Sequence, residues 1–127
     1  MGLGYIGLPT AALIAQKGTK VHGVDINPKV VETINRGEIH IVEPELAEIV
    51  KEAVEKNALI ADTQPVSGNT YLIVVPTPFK GKNEPDISFV EAATNAIIPL
   101  LKEDDLYIIE STSHIGTTEN MRDLKYT

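Results

Sequence analysis

Residues 1–10 read MGLGYIGLPT, and the interpretation of the whole chain turns on them. Gly2, Gly4 and Gly7 stand at the spacing G-x-G-x-x-G. At that spacing the first glycine permits a tight turn, the second leaves the backbone open to a diphosphate, and the third lets a helix pack closely on a sheet. Glycine makes up about 7% of average sequences, so the pattern alone arises by chance roughly once in a few tens of chains of this size. Its context carries more weight. A helical pattern opens inside the motif, which aims backbone N–H groups at any anion held there. A strand pattern follows that helix and ends in Asp25, eighteen positions after Gly7. About 20 is the separation expected for a carboxylate that accepts hydrogen bonds from an adenosine ribose. The same carboxylate repels a 2′-phosphate, so these residues point to NAD rather than NADP, although Lys29 lies close enough to complicate that preference.

Outward from this stretch, helical and strand periodicities alternate. GLPTAALIAQKG predicts a helix closed by Gly18, and TKVHGVDI predicts a strand. NPKVVETINRG predicts a helix with Asn27 as its N-cap, Pro28 in its first turn and Gly37 past its end. EPELAEIVKEAVEKN repeats the device, with Pro44 opening, Asn57 closing, and Leu46, Ile49, Val50 and Val54 on one face. ALIAD and TYLIVVP follow as strands, the second too continuously apolar to be half exposed. Ser88 and Glu91 have the spacing of a capping box ahead of SFVEAATNAIIPLLK. DLYIIEST predicts another buried strand, and Thr117 is placed to cap a last helix. Apolar strands separated by helices predict an α/β, Rossmann-like three-layer fold around a parallel sheet, with residues 1–127 as one NAD-binding domain.

Composition narrows the partners. Eleven basic residues against 18 acidic ones give a net charge of −7, without any cluster of Lys or Arg. That argues against nucleic acid and anionic membranes, both of which require concentrated positive charge. No apolar run approaches the roughly 20 residues that span a bilayer, so a cytoplasmic protein is expected. There is no cysteine, hence no disulfide and no thiol nucleophile within these residues. The three histidines lack ligand spacing, so no metal site is expected; His22 reads as structural, and the role of His40 stays open.

Four segments, GLGYIGLPTAALIA, GVDINPKVVETINRGEIHIVEPEL, VPTPFK and ESTSHIGTTENM, resemble in order the N-terminal domain of the UDP-glucose/GDP-mannose dehydrogenase family, in particular its UDP-N-acetylmannosamine 6-dehydrogenase branch. The resemblance implies NAD as cofactor and a two-step oxidation of a nucleotide sugar's C6 alcohol to a carboxylate, consuming two NAD+. It places the reacting cysteine in a later domain, together with its lysine, asparagine and aspartate partners, so this chain alone is expected to be inactive. It also implies a homo-oligomer for the full-length protein. By the same resemblance Gly2, Gly4, Tyr5, Ile6 and Gly7 form the phosphate-binding turn and Asp25 is the ribose acid. Thr77 lines the cofactor, and Thr112 lies near the nicotinamide and positions the hydrolytic water. Both threonines follow strand ends, where open α/β sheets bind ligands, but turn and capping roles for them stay open. His114 departs from the family, which commonly carries proline there.

A further departure lies at the front. The strand before such a turn sits at the sheet's centre, yet only Met1 precedes Gly2. The expectation is therefore a Rossmann-like fold lacking its first strand and truncated at both ends. The burial such a strand provides is comparable to a domain's net stability of about 5–15 kcal/mol. Weak or absent NAD binding by the isolated chain is expected in consequence. Two other readings stay open: a non-catalytic interaction module, and a β-hydroxyacid-type NAD dehydrogenase.

Overall fold

The computed structural model describes residues 1–82, 84–111 and 115–124, without the side chains of Lys80 and Pro85. Two compact units divide it, Met1–Pro65 and Val66–Thr127.

The first unit contains α1 (Gly7–Gln16), β1 (Val21–Val24), α2 (Pro28–Asn35), α3 (Leu46–Glu55) and β2 (Leu59–Asp62). β1 and β2 pair in parallel, Val21 opposite Leu59 and Val24 opposite Asp62. Alanines at 11, 12 and 15 give α1 a low-relief buried face, and α1 packs on α3 through it. Leu3, Leu8, Ile34, Leu46, Val50 and Leu59 fill the core between these elements.

The helix ends follow the local chemistry. Asn27 caps α2 by accepting the Lys29 N–H at 3.0 Å, with Pro28 in the first turn. Asn57 ends α3 in the left-handed region, and Gly18 and Gly37 do the same for α1 and α2. The start of α3 differs from expectation. Glu45 has φ +67°, which breaks the helical path and leaves Pro44 outside, so the helix begins at Leu46. Leu46 and Val50 are fully buried, while Ile49 and Val54 are half-buried beside them.

On one side of β1, the Gly2 N–H donates to the Val24 carbonyl at 2.7 Å. The far margin of β2 is closed by a side chain. Asn35 Nδ2 donates to the Ala61 carbonyl and the Ala61 N–H donates to Asn35 Oδ1, both at 2.9 Å. A carboxamide is the one side chain that reproduces both halves of a backbone ladder. Asn35→Ala should therefore cost about 1–3 kcal/mol, the range for leaving partly buried backbone groups unsatisfied. Asn35→Asp, which keeps only the acceptor, should fall between the two in urea denaturation.

The second unit contains β3 (Thr70–Ile73), the short antiparallel pair β4 (Phe79–Lys80) and β5 (Glu84–Pro85), α4 (Ser88–Ile97), a 3-10 turn (Ile98–Leu100), β6 (Leu106–Ile109) and α5 (Thr117–Leu124). β3 and β6 pair in parallel, Thr70 opposite Leu106 and Ile73 opposite Ile109. Ile73, Val90, Ile97 and Met121 are buried here.

Three expectations change in this unit. The capping box is not used: Asp86 accepts the Ser88 N–H at 2.9 Å, so Ser88 is already the first helical residue. Similarly, Thr117 is itself the first residue of α5 and is buried, after Gly116 at φ +94°. β6 is not fully buried. Leu106 is 54% and Ile108 38% exposed, because only the Tyr107 and Ile109 face turns inward among the described residues. Tyr107 shares a 2.6 Å hydrogen bond with Thr94, and its burial pushes the phenol's pKa up. No helix among the described residues is long and apolar enough to cross a membrane.

Candidate functional site

The glycine turn is fixed from both ends. Gly2 has φ +97°, a value that glycine adopts freely, and it hangs on Val24 through its N–H. Leu3 follows, 2% exposed, with its side chain driven into the core against Gly23. A Cβ on Gly23 would lie 2.9 Å from Leu3 Cδ2, so a side chain at that point of β1 would force the buried Leu3 side chain to shift. Gly23→Ala should overpack this contact at a cost of about 1–3 kcal/mol and displace Leu3 with the turn attached to it. Thermal unfolding and the amide shifts of residues 2–7 would register both effects.

After the turn, α1 begins at the buried Gly7. No side chain caps its start, and its first turn carries no acid. Tyr5 and Ile6 lie largely exposed at 67% and 60%. The opening of α1 thus presents backbone donors and the positive end of the helix dipole, with no protein carboxylate in that first turn to compete.

Asp25 is brought to this turn by hydrogen bonds rather than by sequence. Its Oδ2 accepts the Leu3 N–H at 3.1 Å, and its Oδ1 accepts the Asn27 N–H at 3.0 Å. The carboxylate therefore sits one residue from Gly4, partly open to solvent at the end of β1. Its charge reaches the start of the chain. Burial lowers the Met1 amine from 8.0 to about 6, while Asp25 pulls it the other way.

Gly4 tests whether these residues suit a diphosphate. It is exposed, its φ is not positive, and a Cβ built on it would meet no atom within 4 Å. Neither backbone conformation nor internal packing asks for glycine there. What its missing side chain supplies is clear space at the turn, at a residue that follows the Asp25-bound Leu3 and precedes the opening of α1. A dinucleotide's diphosphate needs that kind of space.

The structure thus gathers Gly2, Gly4, Tyr5, Ile6, Gly7 and Asp25 in the first unit. Thr77 belongs to the second unit, half-buried in the segment between β3 and β4, just past the end of a strand. Thr112 and His114 lie outside the described residues. His22 is on β1, with a buried Nε2 that has no hydrogen-bond partner among the described residues. A cavity of about 150 Å³ in the second unit, lined by Thr94, Ile98, Leu101, Tyr107 and Met121, sits where β6 begins, at the opposite end of the strands from Thr77. Sequence reasoning missed Leu3 and the Gly23 contact beneath it; a lone glycine inside a strand is the signal for such a close approach.

Residues 1–126 match the model of the UDP-glucose/GDP-mannose dehydrogenase family, NAD binding domain. The chain is similar to the UDP-N-acetyl-D-mannosamine dehydrogenase of Escherichia coli (strain K12), 60% identical over 95% of this chain and 29% of that protein. It is 52% identical to the NDP-N-acetyl-D-galactosaminuronic acid dehydrogenase of Ralstonia nicotianae, over 97% of this chain and 29% of that protein. Among solved structures, the UDP-N-acetyl-mannosamine dehydrogenase from S. aureus superposes with a TM-score of 0.94 at 37% identity, covering 98% of this chain and 30% of that one. The Rossmann-like architecture expected from the sequence is therefore shared with solved dehydrogenases. The chain spans less than a third of the length of these relatives.

Proposed function

The chain belongs to the UDP-glucose/GDP-mannose dehydrogenase family, NAD binding domain, and on that premise we propose that it is the cofactor-holding part of an NAD-dependent nucleotide-sugar 6-dehydrogenase. The observation that carries this reading is Gly4, a position left bare with no need for it inside the protein, held one residue from an aspartate-anchored turn. The fingerprint turn and the opening of α1 take the diphosphate, and Asp25 accepts the hydroxyls of the adenosine ribose. The nicotinamide of a bound NAD+ supplies the hydride acceptor. This chain's own work is to fix that cofactor's position and to bias the choice against a 2′-phosphate. Thr77 lines the cofactor and Thr112 positions the hydrolytic water in this reading.

The substrate proposed is UDP-N-acetyl-D-mannosamine, in line with the name of the E. coli relative at 60% identity. Oxidation of its C6 alcohol to the carboxylate consumes two NAD+, with the reacting cysteine and the sugar site supplied by sequence outside these residues. The protein acts as a homo-oligomer in the cytoplasm.

Titration of the chain with NAD+, followed by its amide NMR signals, should move Gly2 to Gly7 and Asp25 to Asn27 even where affinity is millimolar. No response at those amides, in either the isolated chain or the chimera described next, would refute the cofactor site. Grafted in place of the equivalent residues of the E. coli relative, the chain should support NADH formation from UDP-N-acetyl-D-mannosamine. A folded chimera that binds the cofactor yet makes no NADH would refute the dehydrogenase reading and favour a non-catalytic module.

A further inference from the structure

Where the ladder between β3 and β6 stops, a side chain continues it. Backbone pairing runs from the Leu106 N–H on the Asn69 carbonyl to the Glu110 N–H on the Ile73 carbonyl, each 2.9 Å. Beyond Ile73 the chain reads Val74-Val75-Pro76-Thr77-Pro78. Two prolines remove two N–H donors and hold the residues before them extended, so this segment cannot keep up a regular ladder. In its place Ser111 Oγ donates to the Val75 carbonyl at 2.7 Å, with the Ile73 carbonyl 3.4 Å from the same oxygen. Val75 stands two residues before Thr77, and Ser111 comes directly after Glu110, at the end of the ladder.

We propose that Ser111 is a positioning residue for Thr77: its hydroxyl holds segment 74–78, and Thr77 with it, against the end of β6. The proposal rests on the reading above that Thr77 lines the cofactor. A hydroxyl suits the task because the acceptor is a carbonyl two residues past the last ladder bond, at a point where proline prevents further backbone pairing. Alanine deletes the donor, whereas threonine keeps it.

The test compares the unsubstituted chain, Ser111→Ala and Ser111→Thr by amide hydrogen exchange and by NAD+ titration on the same samples. Losing one hydrogen bond of ordinary strength should speed exchange at Val74, Val75, Thr77 and Phe79 about five- to tenfold in Ser111→Ala. Exchange in α3 should stay unchanged, and Ser111→Thr should restore the slow rates. Affinity for NAD+ should fall about threefold to tenfold in Ser111→Ala and recover in Ser111→Thr, since a ligand's apparent affinity scales with the fraction of chain already in the competent arrangement. Unchanged exchange in segment 74–78 overturns the clamp, and so does acceleration spread evenly over both units, which marks a general loss of stability. A loosened segment with unchanged NAD+ affinity overturns its link to the cofactor. If neither the unsubstituted chain nor its chimera with the E. coli relative shows an NAD+ response, the reading of the site fails, while the exchange data still judge the clamp. Should Ser111→Ala not fold, Ser111→Cys keeps the volume, weakens the donor and gives the same comparison.

Discussion

Replacing Gly4 with valine is expected to weaken NAD+ binding about thirty- to hundredfold, the equivalent of losing one or more hydrogen bonds to a charged group at about 1.5–3 kcal/mol each. Stability should stay within about 0.5 kcal/mol of the unsubstituted chain, as for a surface change that disturbs no packing. The two halves of this outcome come from one fact: a Cβ at this position meets nothing in the protein and asks for no unusual φ. The branched side chain instead fills the space above the turn, where the diphosphate would approach the amides. Gly4→Ala should give a smaller loss of the same kind. Amide-detected titration alongside urea denaturation checks both halves. A valine variant that binds NAD+ as well as the parent would show that the open space serves no diphosphate.

Asp25→Ala should fail in both respects. Its carboxylate ties down the part-buried Leu3 N–H at 3.1 Å and the exposed Asn27 N–H at 3.0 Å, and the alanine variant offers neither of them an acceptor from this side chain. Charged hydrogen bonds of this kind, discounted for partial exposure, put the stability loss at about 2–3 kcal/mol. The turn then loses its anchor and the ribose loses its acceptor, so NAD+ affinity should drop about hundredfold or more, two such contacts at ~1.4 kcal/mol per decade. Asp25→Asn should fall between, since an amide can accept from one of the two N–H groups but turns a donor toward the other. In both variants the preference for NAD+ over NADP+ should narrow as the charge that repels a 2′-phosphate disappears. Calorimetric unfolding with parallel NAD+ and NADP+ titrations separates the two losses. An alanine variant of parental stability would show that Asp25 anchors nothing.

Much of the fold is legible in the sequence where local chemistry decides it. Asn27-Pro28 starts α2 and Gly37 follows its end, while Gly18 and Asn57 mark the ends of α1 and α3, because left-handed closure and capping depend on residues a few positions apart. The buried stripe of α3 follows its spacing of Leu46, Ile49, Val50 and Val54 for the same reason. What escaped depends on partners distant in the chain. Ser88 falls inside α4 rather than at its cap, its N–H held by Asp86 through loop geometry that no periodicity encodes. The exposure of Leu106 and Ile108 depends on what covers a strand, and an apolar run looks the same covered or bare. Of the candidate site, the glycines and Asp25 could be paired by spacing alone. The Leu3 amide that joins them, the seat of Leu3 against Gly23 and the hydroxyl of Ser111 on Val75 involve residues without any motif.

The Asn35 carboxamide on Ala61 also bears on how the chain behaves when crowded. A bare sheet margin offers alternating donors and acceptors on which another molecule can add a strand and seed fibrils. At Ala61 that couple is already engaged by the chain's own helix end. An incoming strand would first have to evict a tethered amide, so self-association by strand addition meets a built-in competitor there.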